Sequence, residues 1–184
     1  DTRLRWAGGR YDASAFVGFS HIAGDSLAIL AQQRSSRRFF QRPDARYVRV
    51  DSGLTSMDGY FAGINHSKLS GSWLWDLDLS AESPGYEIND LGRLGGTDDL
   101  SQSSNLRYRQ TRRGRFLHNW DVGFEQFAGW NFGGTNTYNG LELFTNQTHR
   151  NFLRSWVEVG INLPAISDDL TRGGPLMRTY GSQR

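Results

Sequence analysis

The chain has no cysteine, only four prolines and, among 21 basic residues, a single lysine, Lys68. Without a thiol there is no disulfide framework, no thiolate metal site and no cysteine nucleophile. No segment approaches the roughly 18 consecutive apolar residues of a transmembrane helix. The start of the chain also lacks the basic and apolar regions of a signal peptide. These absences leave a soluble protein, a β-barrel, or a processed or truncated product. At 184 residues the chain holds one domain or part of a larger one. No sequence period of about 20–50 residues recurs, which counts against propellers and solenoids.

Arginine supplies nearly all the positive charge. Its planar fork pairs with carboxylates and suits a polar barrel interior, although a bias towards arginine codons would leave the same mark. The formal net charge is only +2. The run holding Arg107, Arg109, Arg112, Arg113 and Arg115 is therefore expected to be a basic patch at a hairpin end, near anionic headgroups, and not a nucleic-acid surface.

What the sequence has in plenty is glycine, 22 residues, and aromatic rings, 11 Phe, 7 Tyr and 6 Trp. Glycine in a helix interior costs about 1 kcal/mol relative to alanine, so this composition favours strands and turns. Period-two alternation is clearest over residues 72–82, where Trp73, Trp75, Leu77 and Leu79 oppose Asp76, Asp78 and Ser80. It recurs over 115–127, with His118 interrupting the apolar side, and over 153–161, with Trp156 among the polar set. Weaker strand candidates are 12–22, 26–34, 46–51, 57–67, 105–111 and 136–147, bounded by glycine-rich or Asp/Ser turns. Residues 83–104 read as a long loop, and 165–184 as a loop or C-terminal tail after a sheet region spanning 1–164.

The fold class expected is all-β, an antiparallel meander of about 8–10 long strands forming an outer-membrane-type barrel or a segment of a larger one. A soluble sandwich gives the same alternation. Strand length and ring position favour the barrel, because a tilted strand needs about 9–11 residues to cross and its rings gather at the interfaces. Trp73, Trp75, Tyr86, Trp120, Trp130 and Tyr138, near strand ends or turns, are the candidate aromatic belt or interface.

Particular stretches carry a family resemblance: Phe40-Gln41-Arg42-Pro43-Asp44, Ser83-Pro84-Gly85-Tyr86-Glu87-Ile88-Asn89-Asp90-Leu91-Gly92, Trp130-Asn131-Phe132-Gly133-Gly134-Thr135, Leu163-Pro164-Ala165 and Leu170-Thr171-Arg172-Gly173-Gly174-Pro175-Leu176-Met177. In this order they resemble bacterial outer-membrane barrel proteins of unknown function that commonly carry an N-terminal family-9-like carbohydrate-binding module. The resemblance implies that a central or late part of the barrel region is present and the module is not.

Catalytic chemistry finds little support. His21, His66, His118 and His149 stand singly, with no metal-ligand spacing. Asp98-Asp99 and Asp168-Asp169 lack the alternating ligands of a calcium loop and read as solvated acidic turns. No nucleophile elbow appears. Asp76 and Asp78 read as neighbouring surface or interior carboxylates before a glycosidase pair. Gly92-Arg93-Leu94-Gly95-Gly96 lacks the lysine of a phosphate loop. The expectation is a non-enzymatic chain without catalytic, metal or cofactor sites. Its partners would be a lipid bilayer or detergent and other membrane-protein chains, in the bacterial outer membrane. The alternatives are a periplasmic or membrane-extrinsic sheet subunit that stabilises a membrane complex, and a carbohydrate-binding β-protein.

Overall fold

A computed structural model describes residues 1–88 and 94–183. One antiparallel sheet of nine strands dominates it, and the strands follow one another in chain order: β1 (Thr2–Trp6), β2 (Tyr11–Ala23), β3 (Ser56–Lys68), β4 (Trp73–Glu82), β5 (Asp99–Gln110), β6 (Leu117–Trp130), β7 (Asn136–His149) and β8 (Arg154–Asn162). A short hairpin, β9 (Ala165–Ser167) with β10 (Met177–Thr179), forms a second sheet. β11 (Ser182–Gln183) then returns to pair with the end of β8. The meander is as expected. The large sheet is open, with β1 and β11 at its edges.

Two expected strands are not strands. Residues 26–34 form a helix, α1 (Ser26–Arg34), capped by Asp25, whose carboxylate accepts the Ala28 amide at 2.7 Å. The segment has no two-residue alternation. Its Leu, Ala and Gln content favours a helix, and Asp25, the apparent turn residue, is the N-cap that starts it. Ile29 and Gln33, one turn apart, are its buried residues. Residues 46–51 are irregular, and at their end the Gln33 side chain holds the Asp51 backbone as a partner strand would. It accepts the Asp51 amide at 2.7 Å and donates to the Asp51 carbonyl at 2.8 Å.

The expected loop 83–104 ends earlier, since Asp99 already pairs with Glu82 in the β4–β5 ladder. The expected tail 165–184 contains the three short strands β9–β11. Asn89 to Gly92 of the longest motif, and Arg93 of the glycine-rich stretch, lie outside the described residues.

Connections differ at the two ends of the sheet. At one end the links are tight, residues 7–10, 69–72, 111–116 and 150–153. At the other the chain makes long excursions, 24–55 with α1, 83–98, and 163–181 with β9 and β10. Ile29, Ala45, Tyr86, Leu94 and Ala165, five of the eight buried apolar residues described, belong to these excursions and not to the large sheet.

The register fixes two unlike faces. On one, aromatic rings cover glycines directly opposite them: Phe16 over Gly63, Phe144 over Gly123, Phe127 over Gly140 and Tyr138 over Gly129. A ring laid on a neighbouring glycine shields backbone that lacks a side chain and holds the local register. A Cβ on Gly140 would lie 2.5 Å from the Phe127 ring and 2.8 Å from the Ile161 carbonyl oxygen, whereas one on Gly160 meets nothing closer than 3.7 Å. Gly140→Ala is expected to destabilise by about 1–3 kcal/mol through overpacking. Gly160→Ala should be neutral or slightly stabilising. Denaturant titration of both variants checks the difference.

Candidate functional site: a polar face closed by arginine-anchored loops

Face assignment follows from the ladder, because residues directly opposite each other share a side. On β4–β8 every Asp, Glu and Arg falls on one side: Asp76, Asp78, Glu82, Asp99, Arg107, Arg109, Asp121, Glu125, Glu142, Arg154 and Glu158. β1 and β2 add Arg3, Arg5 and Asp12 to the same side, where both arginines reach the Asp12 carboxylate.

The opposite face is apolar and uncovered. A row of directly paired residues, Trp75, Leu106, Phe124, Leu143 and Val159, crosses it from β4 to β8. Leu143 and Val159 remain 58% and 60% exposed. Gln102, Ser104 and Gln126 interrupt the apolar surface, and Ser104 donates to the Gln126 side chain at 3.3 Å. Asp58 and Lys68 are the charged strand residues on this face, and they stand at opposite ends of β3.

Rings collect at the tight-turn end of the apolar face. Trp73, Tyr108 and Trp120 form a row across β4, β5 and β6 with centroids 5.1 and 5.7 Å apart. Trp6, Tyr11 and Trp75 continue it across β1, β2 and β4, at 5.5 and 5.8 Å. Lys68 Nζ sits 4.9 Å from the Trp75 ring. At the long-loop end, Phe19, Tyr60 and Trp130 hold the same face.

The expected belt residues therefore separate. Trp73, Trp75, Trp120 and Trp130 share the apolar face, but Tyr138 lies on the polar face over Gly129. Tyr86 is buried, its backbone against Gly59. Tyr86 and Tyr138 are not part of an outward belt, because sequence position near a turn says nothing of side. The expected basic patch divides too. Arg107 and Arg109 point to the polar face, while Arg112, Arg113 and Arg115 occupy the exposed β5–β6 turn.

At the long-loop end the polar face carries an assembly held by two buried arginines. Arg38, 2% exposed, donates through Nη2 to the Tyr86 carbonyl at 2.5 Å and to Glu87 at 2.9 Å, and through Nη1 to Gln32 at 3.1 Å. Arg42 bridges Asp98 at 2.5 Å and Asp168 at 2.6 Å, so one guanidinium joins all three excursions. Burial opposes the charge on Arg42, and the Asp98 hydrogen bond with the surrounding carboxylates overcomes that penalty. The Tyr47 hydroxyl donates to Asp98 at 2.5 Å; burial first, then this bond, holds it well above the usual tyrosine range, so it stays a neutral donor. The β6–β7 connection closes the assembly, with Asn131 donating to Asp168 at 2.8 Å and the Phe132 amide to Asp98 at 3.0 Å.

Asp98 and Asp168, expected as solvated turns, are thus an arginine clamp. No local pattern announces it, but Arg42, Tyr86, Glu87, Asn131 and Phe132 all lie in the stretches that carry the family resemblance, and Leu176 of a further one donates its amide to Asp44 at 2.8 Å. Among the described residues no three His, Asp or Glu side chains gather to hold a metal ion. No helix among them is long and apolar enough to cross a membrane, which leaves strands unaddressed.

The fold and clamp define an all-β protein whose open meander separates charge from apolar surface and whose long loops pack on the charged side. The chain belongs to the family described as "Domain of unknown function (DUF5916)", whose model matches residues 26–169, from α1 to just beyond β9. No curated protein and no solved structure matches it.

Removing the Arg42 side chain would strand Asp98 and Asp168 in a buried setting, where breaking one ion pair costs about 3–5 kcal/mol. Arg42→Ala is expected to loosen 24–55, 83–98 and 163–181 together, seen as faster amide exchange in all three. Arg112→Ala in the exposed turn should leave exchange there unchanged.

Proposed function

We propose that the chain is a wall segment of a bacterial outer-membrane β-barrel, non-enzymatic, with a structural, transport or surface-anchoring role. The observation that carries this reading is the complete removal of Asp, Glu and Arg from one face of β4–β8. A water-facing sheet has no reason to exclude charge from an exposed side, whereas in lipid each charge near the midplane costs about 2–4 kcal/mol.

Dimensions agree with it. From Trp120 to Trp130 along β6 is ten residue steps. At about 3.4 Å per residue and a tilt of about 40°, that segment rises about 25 Å, the height of the apolar band in such walls. Rings at both ends of the band, tight turns on one side and long connections on the other are the arrangement such barrels use, with the charged face turned to the interior. The open edges, β1 and most of β8, would then continue into further strands.

A second reading, a periplasmic or membrane-extrinsic sheet that lays its apolar face on a membrane-protein complex, draws on those same open edges, which suit pairing with another chain. The two part on their need for lipid. In the membrane reading the purified chain folds only in detergent or vesicles, and Leu143→Arg, at mid-band, lowers folding stability there by about 2–4 kcal/mol. A stable monomer in plain buffer, by circular dichroism and sedimentation, would sink that reading and favour the second.

A further inference from the structure

The two ends of the sheet differ in charge as well as in the length of their connections. The tight turns 7–10, 69–72, 111–116 and 150–153 hold five arginines, Arg10, Arg112, Arg113, Arg115 and Arg150, and no Asp or Glu. The long excursions 24–55, 83–98 and 163–181 hold eight acidic residues against nine arginines, so their charge nearly balances. All five turn arginines are exposed, and among the described residues none of them forms an ion pair. The structural use that accounts for the buried Arg38 and Arg42 does not extend to them.

The fold draws most of this charge together. The Arg150 amide donates to the Phe116 carbonyl at 3.2 Å, which sets the β7–β8 turn against the β5–β6 turn, so four of the five arginines occupy two adjoining turns. Large apolar side chains stand among them. Phe116 and Phe152 are 71% and 76% exposed, and the Arg115 guanidinium lies 5.2 Å from the Phe116 ring centroid. Like charges at close quarters repel, and exposed rings are poorly placed in water; a surface with phosphates above and an apolar phase below relieves both. These turns follow directly on the row of Trp73, Tyr108 and Trp120, rings of the kind that sit at headgroup level. A nucleic acid or an acidic protein would meet the arginines alone. A lipid surface also takes the turn rings and is continuous with the apolar face below them, and the guanidinium fork fits phosphate oxygens in pairs.

We propose that the tight-turn rim docks on anionic phospholipid headgroups, with the arginines of the β5–β6 and β7–β8 turns holding their phosphates. The assignment rests on the membrane reading above and adds to it a lipid class and the end of the sheet that meets it.

The test folds the full chain into vesicles of phosphatidylcholine alone and of an equal mixture with phosphatidylglycerol. Lipid preference is read from tryptophan quenching by the dibrominated form of either lipid. Phosphatidylglycerol should be favoured by about fivefold or more at low salt, the worth of one basic residue beside an anionic surface. The preference should shrink in molar salt, where the screening length is about 3 Å. Replacing the four clustered arginines together, Arg112→Gln, Arg113→Gln, Arg115→Gln and Arg150→Gln, should bring the two lipids level while insertion into pure phosphatidylcholine stays as in the parent. Arg46→Gln, Arg49→Gln and Arg172→Gln together, exposed at the long-loop end, should keep the parent's preference. Equal quenching by both lipids in the parent, a preference indifferent to salt, or one that survives the four turn substitutions overturns this assignment and leaves the wall-segment reading standing. Failure to insert into either vesicle overturns both.

Discussion

Every other feature depends on the antiparallel register from β2 to β8. A strand side chain changes face with each residue, so a slip of one position would carry Asp76, Glu125 and Glu142 to the apolar side and Trp75, Phe124 and Leu143 to the charged one. The chain pins this register more than once. Tight turns join the hairpins at one end, and Gly–aromatic pairs lock β2 to β3 and β6 to β7. β6–β7, with three such pairs, also takes the one described ladder irregularity on the long-loop side, the Thr137 bulge.

Local periodicity was enough to read the strands but not the connections. Trp73 to Ser80 alternates because both faces of β4 meet constant environments, so its face assignment could be made from eight residues alone. α1 escaped that logic. Nine residues are too few for a helical stripe to stand out, and a short helix in water draws its stability from packing more than from propensity. Here the packing comes from Ile29 and from Gln33, whose amide serves the distant Asp51 backbone.

The clamp was illegible for a different reason. Arg42 is 56 residues from Asp98 and 126 from Asp168, so nothing near any of the three hints at the others. Short acidic pairs in loops are ordinarily solvated, and only the tertiary fold turns these into buried counter-charges. Family resemblance reached further than periodicity because its stretches are the loop segments that meet at the clamp. Yet it could not say which face Tyr86 or Tyr138 would take, since ring identity and nearness to a turn are the same on both sides.

The two arginines also explain why irregular chain can lie on a charged sheet. Buried loops carry backbone groups that must find partners, and a buried ion pair by itself is weak support for stability once desolvation is counted. What the guanidinium fork adds is several directed donors in one plane. Arg38 uses its fork to satisfy the Tyr86 carbonyl as well as Glu87, and Arg42 places two carboxylates from separate excursions at a common point. A lysine there would supply the charge without the planar fork. The arginine richness of the chain therefore has a structural use at these two positions, whatever set the composition elsewhere.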